Sequence, residues 1–289
     1  TAVLFTHCVM DTVQIFKDTL YFLAILNPAS KLLFLSCVKA GASSIYKITG
    51  GKPAAFDTLC TGNIRPDRLD DYIWENDKSG YRTYGPALRA SGEMAYGYDV
   101  FTKSVSYPVM DDRLDKALKQ GISYHEDHGD GMDAYGVGAT LGCGADALAD
   151  SRGNIVYPWC WATCEILDRG PLRVTARLSY TPFEIDGKTI VETRTITLDA
   201  GSHFNRSSVS FAGLDGAKEL VVGLVIHPEN PAAYRFGKDS SGGWAAYPDL
   251  GDANVGENGE IYVGAVVASP VESVSYVPFK DDIAGNHSA

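Results

Sequence analysis

The chain has 289 residues, of which 45% are hydrophobic and 21% are charged, and its formal net charge at pH 7 is -11. This composition is typical of a folded globular protein and excludes a disordered chain. The 25 Lys and Arg are scattered among 36 Asp and Glu, so no basic face is available for nucleic acid or an anionic membrane surface. The apolar runs are too short to span a bilayer.

The first sixty residues are apolar and rich in β-branched side chains, which predicts a partial N-terminal β segment over residues 1–60. A polar stretch over residues 61–71, with Gly, Asn, Pro and Asp, is typical of a linker. We therefore place a domain boundary there and expect one main domain, carrying the site, over residues 61–289.

Apolar and polar residues alternate in several later segments, and each such segment predicts a half-buried strand. These segments are 81–84, 98–102, 172–180, 190–198, 203–211 and 219–226. One short helix is predicted over residues 111–120. Regular strands separated by Asp-Gly and Gly-Ser turns predict an all-β fold, a large antiparallel β-sandwich with few short helices.

Four charged residues occupy polar positions of these strands, namely Arg173, Arg177, Glu192 and Arg194. We interpret them as cross-strand pairs on a solvated or groove-lining face of the sheet. The alternative is that they bind an acidic ligand.

The segment over residues 124–133 is the strongest functional signal, because ten residues hold two His, four carboxylates, one Tyr and two Gly. Unpaired charges are very costly to bury, so these groups must be solvated, paired or bound to something. The residues concerned are Tyr124, His125, Glu126, Asp127, His128, Asp130 and Asp133.

Three functional interpretations of this segment are possible. The structural alternative is a solvated acidic turn. A metal would use His125, His128 and Asp130, and calcium is conceivable, although the two glycines disfavour a helical His pair and no EF-hand spacing is present. Proton transfer would use His or Tyr as base with a carboxylate to orient it. Sugar binding would use hydrogen bonds to hydroxyl groups. We favour no metal and no cofactor.

A second group combines aromatic, acidic and amide side chains with a strand arginine, as a sugar cleft would. Its members are Trp74, Glu75, Asn76, Arg82 and Tyr84. Alternatively this is an ordinary strand pair with a core tryptophan. Asp130, Asp133, Tyr135 and His227 complete the substrate-binding prediction, although a His at a strand end before Pro often has a structural role.

These motifs resemble a bacterial family described as domain of unknown function 4861. The resemblance rests on residues 74–77, 81–88, 124–129, 141–144, 170–173 and 192–202, and its order and spacing fit from about residue 31 to 267. It implies a supersandwich similar to galactose mutarotase and an exported protein of polysaccharide-degrading bacteria, secreted or periplasmic. Family members continue beyond residue 289, so we expect a C-terminally truncated domain.

From these features we expect a carbohydrate-active enzyme acting on acidic, uronate-containing oligosaccharides, with a lyase favoured over a hydrolase. In a lyase, Arg82 and Asn76 would neutralise the uronate, and His125 or Tyr124 would remove a proton while His128 assists the leaving oxygen. In a hydrolase, two of Glu75, Glu126 and Asp127 would be acid and base. The alternatives are a non-catalytic carbohydrate-binding protein and a mutarotase-like epimerase.

Overall fold

The computed structural model describes residues 31–34, 36, 38–45, 57–216, 218–250 and 259–277, together with the backbone of short strands at 5–6, 14–15, 23–26, 48–49 and 287–288. These residues form antiparallel sheets with only two α-helices. The prediction of an all-β, antiparallel sandwich with few short helices is confirmed.

The strands are numbered along the chain as follows. They are β1 (Phe5–Thr6), β2 (Gln14–Ile15), β3 (Leu23–Leu26), β4 (Lys31–Phe34), β5 (Ile48–Thr49), β6 (Thr61–Arg65), β7 (Asp71–Glu75), β8 (Ser79–Thr83), β9 (Asp99–Thr102), β10 (Cys143–Ala149), β11 (Ile155–Val156), β12 (Trp161–Arg169), β13 (Arg173–Tyr180), β14 (Phe183–Ile185), β15 (Lys188–Asp199), β16 (Arg206–Ala212), β17 (Leu220–Ile226), β18 (Arg235–Asp239), β19 (Gly242–Asp249), β20 (Ile261–Val267) and β21 (His287–Ser288). The helices are α1 (Pro86–Ser91) and α2 (Met110–Gln120).

Four sheets contribute to the largest hydrophobic cluster of the described residues. Their strand orders are β6-β7-β8-β9, β12-β13-β15-β14 with β16 beside β15, β11-β10-β17-β21, and β18-β19-β20. Trp74 on β7, Leu178 on β13, Leu224 on β17 and Val263 on β20 belong to the same buried cluster. Smaller sheets pair β4 with β1 and β3, and β2 with β5. Within the described residues, no helix is long and apolar enough to cross a membrane.

The polar stretch over residues 61–71 is a hairpin and not a linker, so that prediction is wrong. β6 pairs with β7 from Thr61 opposite Glu75 to Arg65 opposite Asp71. The polar composition has a structural reason, because the buried Arg65 side chain forms ion pairs with Asp67 in the same segment and with Asp111 and Asp115 of helix α2. The division into segments 1–60 and 61–289 stays a prediction, and much of the first segment lies outside the described residues.

The prediction of a solvated face for Glu192 and Arg194 is also wrong, because both side chains are fully buried. Arg194 Nε lies 2.9 Å from Asp146 Oδ1 and 2.8 Å from Glu192 Oε1. Burial raises the pKa of Glu192 to about 7, with Arg194 opposing the rise. The other two arginines form the cross-strand pairs predicted for them, Arg173 with Asp199 and Arg177 with Glu165.

Helix α2 confirms the helix predicted over residues 111–120 and begins one residue earlier. The buried carboxylate of Glu75 accepts hydrogen bonds from the N–H groups of Val109 and Met110, at 2.8–3.0 Å. These N–H groups have no partner inside the helix, and a negative charge there is favoured by the helix dipole. Leu114 packs the helix against β7 and β9.

The β6–β9 sheet and the β10–β17 sheet meet at two glycines. A Cβ atom on Gly97 would lie 2.1 Å from Leu141 O, and one on Gly142 would lie 2.3 Å from Tyr98 O. The backbones are also hydrogen-bonded there, with Cys143 N donating to Tyr98 O at 2.8 Å. Only glycine fits at this crossing, which fixes β9 relative to β10.

Candidate active site

The centre of the candidate site is the buried side chain of Arg82 on β8. Its Nε donates to Asp99 Oδ2 at 3.0 Å, and its Nη2 donates to Asp133 Oδ2 at 3.1 Å. Tyr84 also donates to Asp99 Oδ2, at 3.4 Å. Arg82 is only 6% exposed, so both acidic groups are held in an interior of low dielectric. The charge of the guanidinium is already balanced by these carboxylates, so Arg82 is not available to bind the carboxylate of a substrate.

A third carboxylate, Asp71, lies beside this arginine without hydrogen bonds. Its Oδ2 is 3.8 Å from Arg82 Nη1 and 4.0 Å from Arg68 Nη1, and neither carboxylate oxygen has a hydrogen-bond partner among the described residues. Burial raises the pKa of Asp71 to about 6, with the two arginines opposing the rise. Burial likewise raises the pKa of Asp99.

Tyr124 connects the buried cluster to the surface loop. Its hydroxyl oxygen accepts hydrogen bonds from Arg68 Nη2 and Arg82 Nη1, both at 3.3 Å. The Tyr124 ring contacts Phe101 and lies 4.5 Å from the ring of His125, centroid to centroid. The hydroxyl therefore points towards the arginines, whereas the imidazole lies on the outer side of the phenol ring.

His125 is the most suitable base of the loop. Its side chain is 42% exposed, and Nδ1 lies 3.1 Å from Asp133 O and 3.7 Å from Asp133 Oδ2. Both neighbours of Nδ1 are acceptors, which places the proton of the neutral ring on Nδ1. Nε2 then carries a lone pair and makes no hydrogen bond to the described residues. An imidazole whose Nδ1 proton is held in this way by a main-chain carbonyl, with a carboxylate close by, can act as a general base through Nε2.

The other polar residues of the loop mainly bind the loop itself. Asp127 Oδ1 accepts from the N–H groups of Gly129 and Gly131, which lower its pKa. Asp130 forms an ion pair with the buried Arg113. His128 and Glu126 are exposed, and His128 Nε2 lies 2.9 Å from Ser123 O.

The residues named for a metal do not converge. His125 faces Asp133, His128 faces a carbonyl, and Asp130 faces Arg113. In the part of the chain that the structure describes, no three His, Cys, Asp or Glu residues are placed to hold a metal ion together.

Three of the predicted substrate-binding residues hold the fold together instead of lining a cleft. The Trp74 ring is buried between Tyr72 and Tyr81, at centroid distances of 5.0 and 5.6 Å. Glu75 pairs with Lys103 and binds the start of α2. Asn76 uses its amide to tie two turns together, donating to two carbonyls and accepting two N–H groups.

His227 forms a separate cluster that holds the segment following Asp133. Its Nδ1 contacts Asp249 Oδ2, and its Nε2 lies 2.9 Å from Gly136 O. Burial opposes protonation, but the bond to Asp249 outweighs it and raises the pKa of His227. Its ring packs edge-on against Tyr135 at 5.7 Å. Both ring nitrogens are occupied, so His227 positions the segment and has no nitrogen free for substrate.

Sequence reasoning missed Arg68, Asp71 and Asp99. Asp71 and Asp99 each stand first in a strand of apolar and aromatic residues, where a charge is unexpected, and this could have indicated a buried ion pair. Arg68 lies in the segment that was interpreted as a linker, so the sequence pattern offered no reason to place it near Arg82. The structure gathers all three residues around Arg82, Tyr124 and Asp133.

The chain is similar to the family described as domain of unknown function (DUF4861), whose model matches residues 28–286, and it belongs to that family. It is also 32% identical over 237 residues to an uncharacterized protein P7 of Formosa agariphila. That alignment covers 80% of this chain and 56% of the relative, so the chain spans a little over half of the relative's length. No solved structure matches the chain with statistical significance.

Proposed function

We propose that the protein is a carbohydrate-active enzyme that cleaves acidic, uronate-containing oligosaccharides by β-elimination. The observation that carries this proposal is the half-exposed imidazole of His125, which is held at Nδ1 by Asp133 while Asp133 is held by the buried Arg82. The residues on either side of His125 in the chain, Tyr124 and Glu126, line a small surface pocket together with His128 and Lys116. A polymer substrate is degraded outside the cytoplasm, so we also propose a secreted or periplasmic location.

In this reaction, His125 Nε2 takes the proton from C5 of the uronate, and the electron pair of that C–H bond forms the C4–C5 double bond. The C4–O bond breaks, and the imidazolium returns the proton to the departing oxygen. The products are an unsaturated uronate and a shortened chain, with no net proton or electron exchanged. The main-chain carbonyl of Asp133 holds the Nδ1 proton and so leaves Nε2 to exchange the proton with the substrate.

Lyase is preferred over hydrolase because the loop offers no isolated carboxylate pair. Glu75 is buried under α2, and Asp127 is occupied by two backbone N–H groups. A glycosidase needs one carboxylic acid and one carboxylate on opposite sides of the scissile bond. Glu126 and Asp127 are both exposed, but the backbone bonds of Asp127 leave Glu126 as the one carboxylate of these three that is not engaged by the fold.

The test is incubation with mixed oligouronides, followed by the ultraviolet absorbance of the unsaturated uronate and by a reducing-end assay. We expect absorbance and reducing ends to rise together. His125→Ala should lower kcat by about 10²-fold or more, because the general base is lost. His203→Ala, at an exposed turn, is the matched control and should change little.

Three outcomes separate the alternatives. New reducing ends without absorbance would identify a hydrolase. Binding without either product would identify a carbohydrate-binding protein. Equal loss of activity in the His125 and His203 variants would contradict the assigned base.

A further inference from the structure

The geometry points to Arg68 as the residue that binds the uronate carboxylate. This inference rests on the proposed function and deepens it. Arg82, which the sequence favoured for this task, is only 6% exposed, and its charge is already shared among three carboxylates, so it is poorly placed to bind a ligand. Arg68 is the other guanidinium at Tyr124, and it stands one aromatic ring away from His125.

Arg68 is more exposed than Arg82 and has more unused donors. Its side chain is 23% exposed, and its only hydrogen bond to the described residues is the one to Tyr124, at 3.3 Å. Its nearest carboxylate oxygen, on Asp71, is 4.0 Å away. By contrast, Arg65 on the preceding strand pairs with three carboxylates. A guanidinium has five N–H donors in a planar fork that suits two-pronged binding of a carboxylate.

The backbone after Arg68 is held in a strained conformation. Leu69 and Asp70 have φ angles of 53° and 62°, in the left-handed region that side chains other than glycine seldom adopt. The strain is maintained by neighbours: Leu88 N donates to Leu69 O at 3.2 Å, and Ala87 N donates to Asp70 Oδ2 at 3.0 Å. Strain maintained in this way is characteristic of residues that position a functional group.

The arrangement assigns separate tasks to the two sides of the Tyr124 ring. His125 removes the proton on one side, and Arg68 at the hydroxyl end neutralises the carboxylate on the carbon that loses it. Neutralising that carboxylate is what makes the C5 proton acidic enough to be removed, because the electron pair left behind is drawn towards it. Arg68 is therefore specificity-determining as well as catalytic.

The experiment compares the wild type with Arg68→Gln, Arg68→Lys and Arg152→Gln. Arg152 is the matched control, because its side chain is exposed and pairs with Asp150 far from the site. The probes are oligogalacturonides and oligoglucuronides, each as free acid and as methyl ester, in turnover and calorimetric binding assays. Circular dichroism shows whether each variant is folded.

We expect Arg68→Gln to raise KM and Kd for the free acids by about 10- to 100-fold and to leave those for the esters unchanged. The KM and Kd of Arg68→Lys for the free acids should lie between those of the wild type and Arg68→Gln. Lysine keeps the positive charge but loses the two-pronged geometry of the guanidinium. Unchanged preference for the acid in both Arg68 variants would overturn the inference and leave the proposed reaction standing. Binding that depends on Arg68 but gives no product would remove the reaction and keep the carboxylate site. If the wild type neither binds nor cleaves these probes, both proposals fail.

Discussion

Arg82 and Asp133 form the link between the interior of the protein and its most polar loop. The guanidinium donates to Asp133 Oδ2 at 3.1 Å. The main-chain carbonyl of the same aspartate accepts a hydrogen bond from His125 Nδ1, also at 3.1 Å. The orientation of a surface imidazole is therefore set by a buried ion pair.

Arg82→Met should be strongly destabilising. It removes the counter-charge of Asp71, Asp99 and Asp133, and leaving buried charges unpaired costs about 3–5 kcal/mol. Urea unfolding measures the change. Arg177→Met is the control, because its pair with Glu165 is exposed and contributes about 0–1 kcal/mol. A stable Arg82 variant with weakened substrate binding would restore Arg82 as a ligand-binding residue.

Glu75→Gln should lower stability without changing activity per folded molecule. The carboxylate bonds the first N–H groups of α2 and pairs with Lys103, and charged hydrogen bonds contribute about 1.5–3 kcal/mol each to stability. Thermal unfolding and kinetics on the same sample separate the two effects. Glu165→Gln, which breaks only the exposed pair with Arg177, should change stability by about 0–1 kcal/mol. An unchanged melting temperature with a raised KM would return Glu75 to the substrate-binding group.

Stability should fall as the pH rises from 5 to 8. The pKa of Glu192 is raised from 4.5 to about 7 and that of Asp71 from 3.8 to about 6, so the folded state holds more protons than the unfolded state in this window. Proton release then favours unfolding as pH rises. Urea midpoints at the two pH values measure the fall.

Glu192→Gln is the variant that isolates the larger contribution. A neutral amide cannot release a proton, so the difference between the two midpoints should shrink. Asp150, whose pKa is lowered to about 2, titrates below this window and Asp150→Asn serves as the control. A variant with the full wild-type pH dependence would show that Glu192 is ionised in the fold at both pH values.

His227 should carry protons on both ring nitrogens at pH 6.5, because Asp249 and the Gly136 carbonyl both require a donor. Its folded pKa is raised above 6.5, so its stabilising effect is complete below that value and is lost as pH rises through the folded pKa. Nitrogen NMR of labelled histidine distinguishes the imidazolium from a neutral tautomer. His203, which is exposed, provides the internal reference, and a neutral His227 at pH 6.5 would contradict the assignment.

The sequence predicted strands such as β13 and β15, because the alternation of apolar and polar residues shows which side chains share a face of a strand. The alternation does not show what packs on that face. Glu192 and Arg194 are buried because another sheet, which carries Asp146, packs on them. The composition of the 124–133 segment likewise marked the site. The neutralisation of Arg82 could not be foreseen, because its partners come from three separate segments of the chain.

The crossing at Gly97 and Gly142 has a consequence for motion. The strand carrying Asp99 is fixed there against β10 by backbone contacts that leave no space for a side chain. Sliding of one sheet over the other is blocked, so any adjustment to a ligand must occur in the loop that carries His125. In hydrogen exchange, the amide of Cys143 should be among the slowest and those around Gly129 among the fastest, and ligand should slow only the latter.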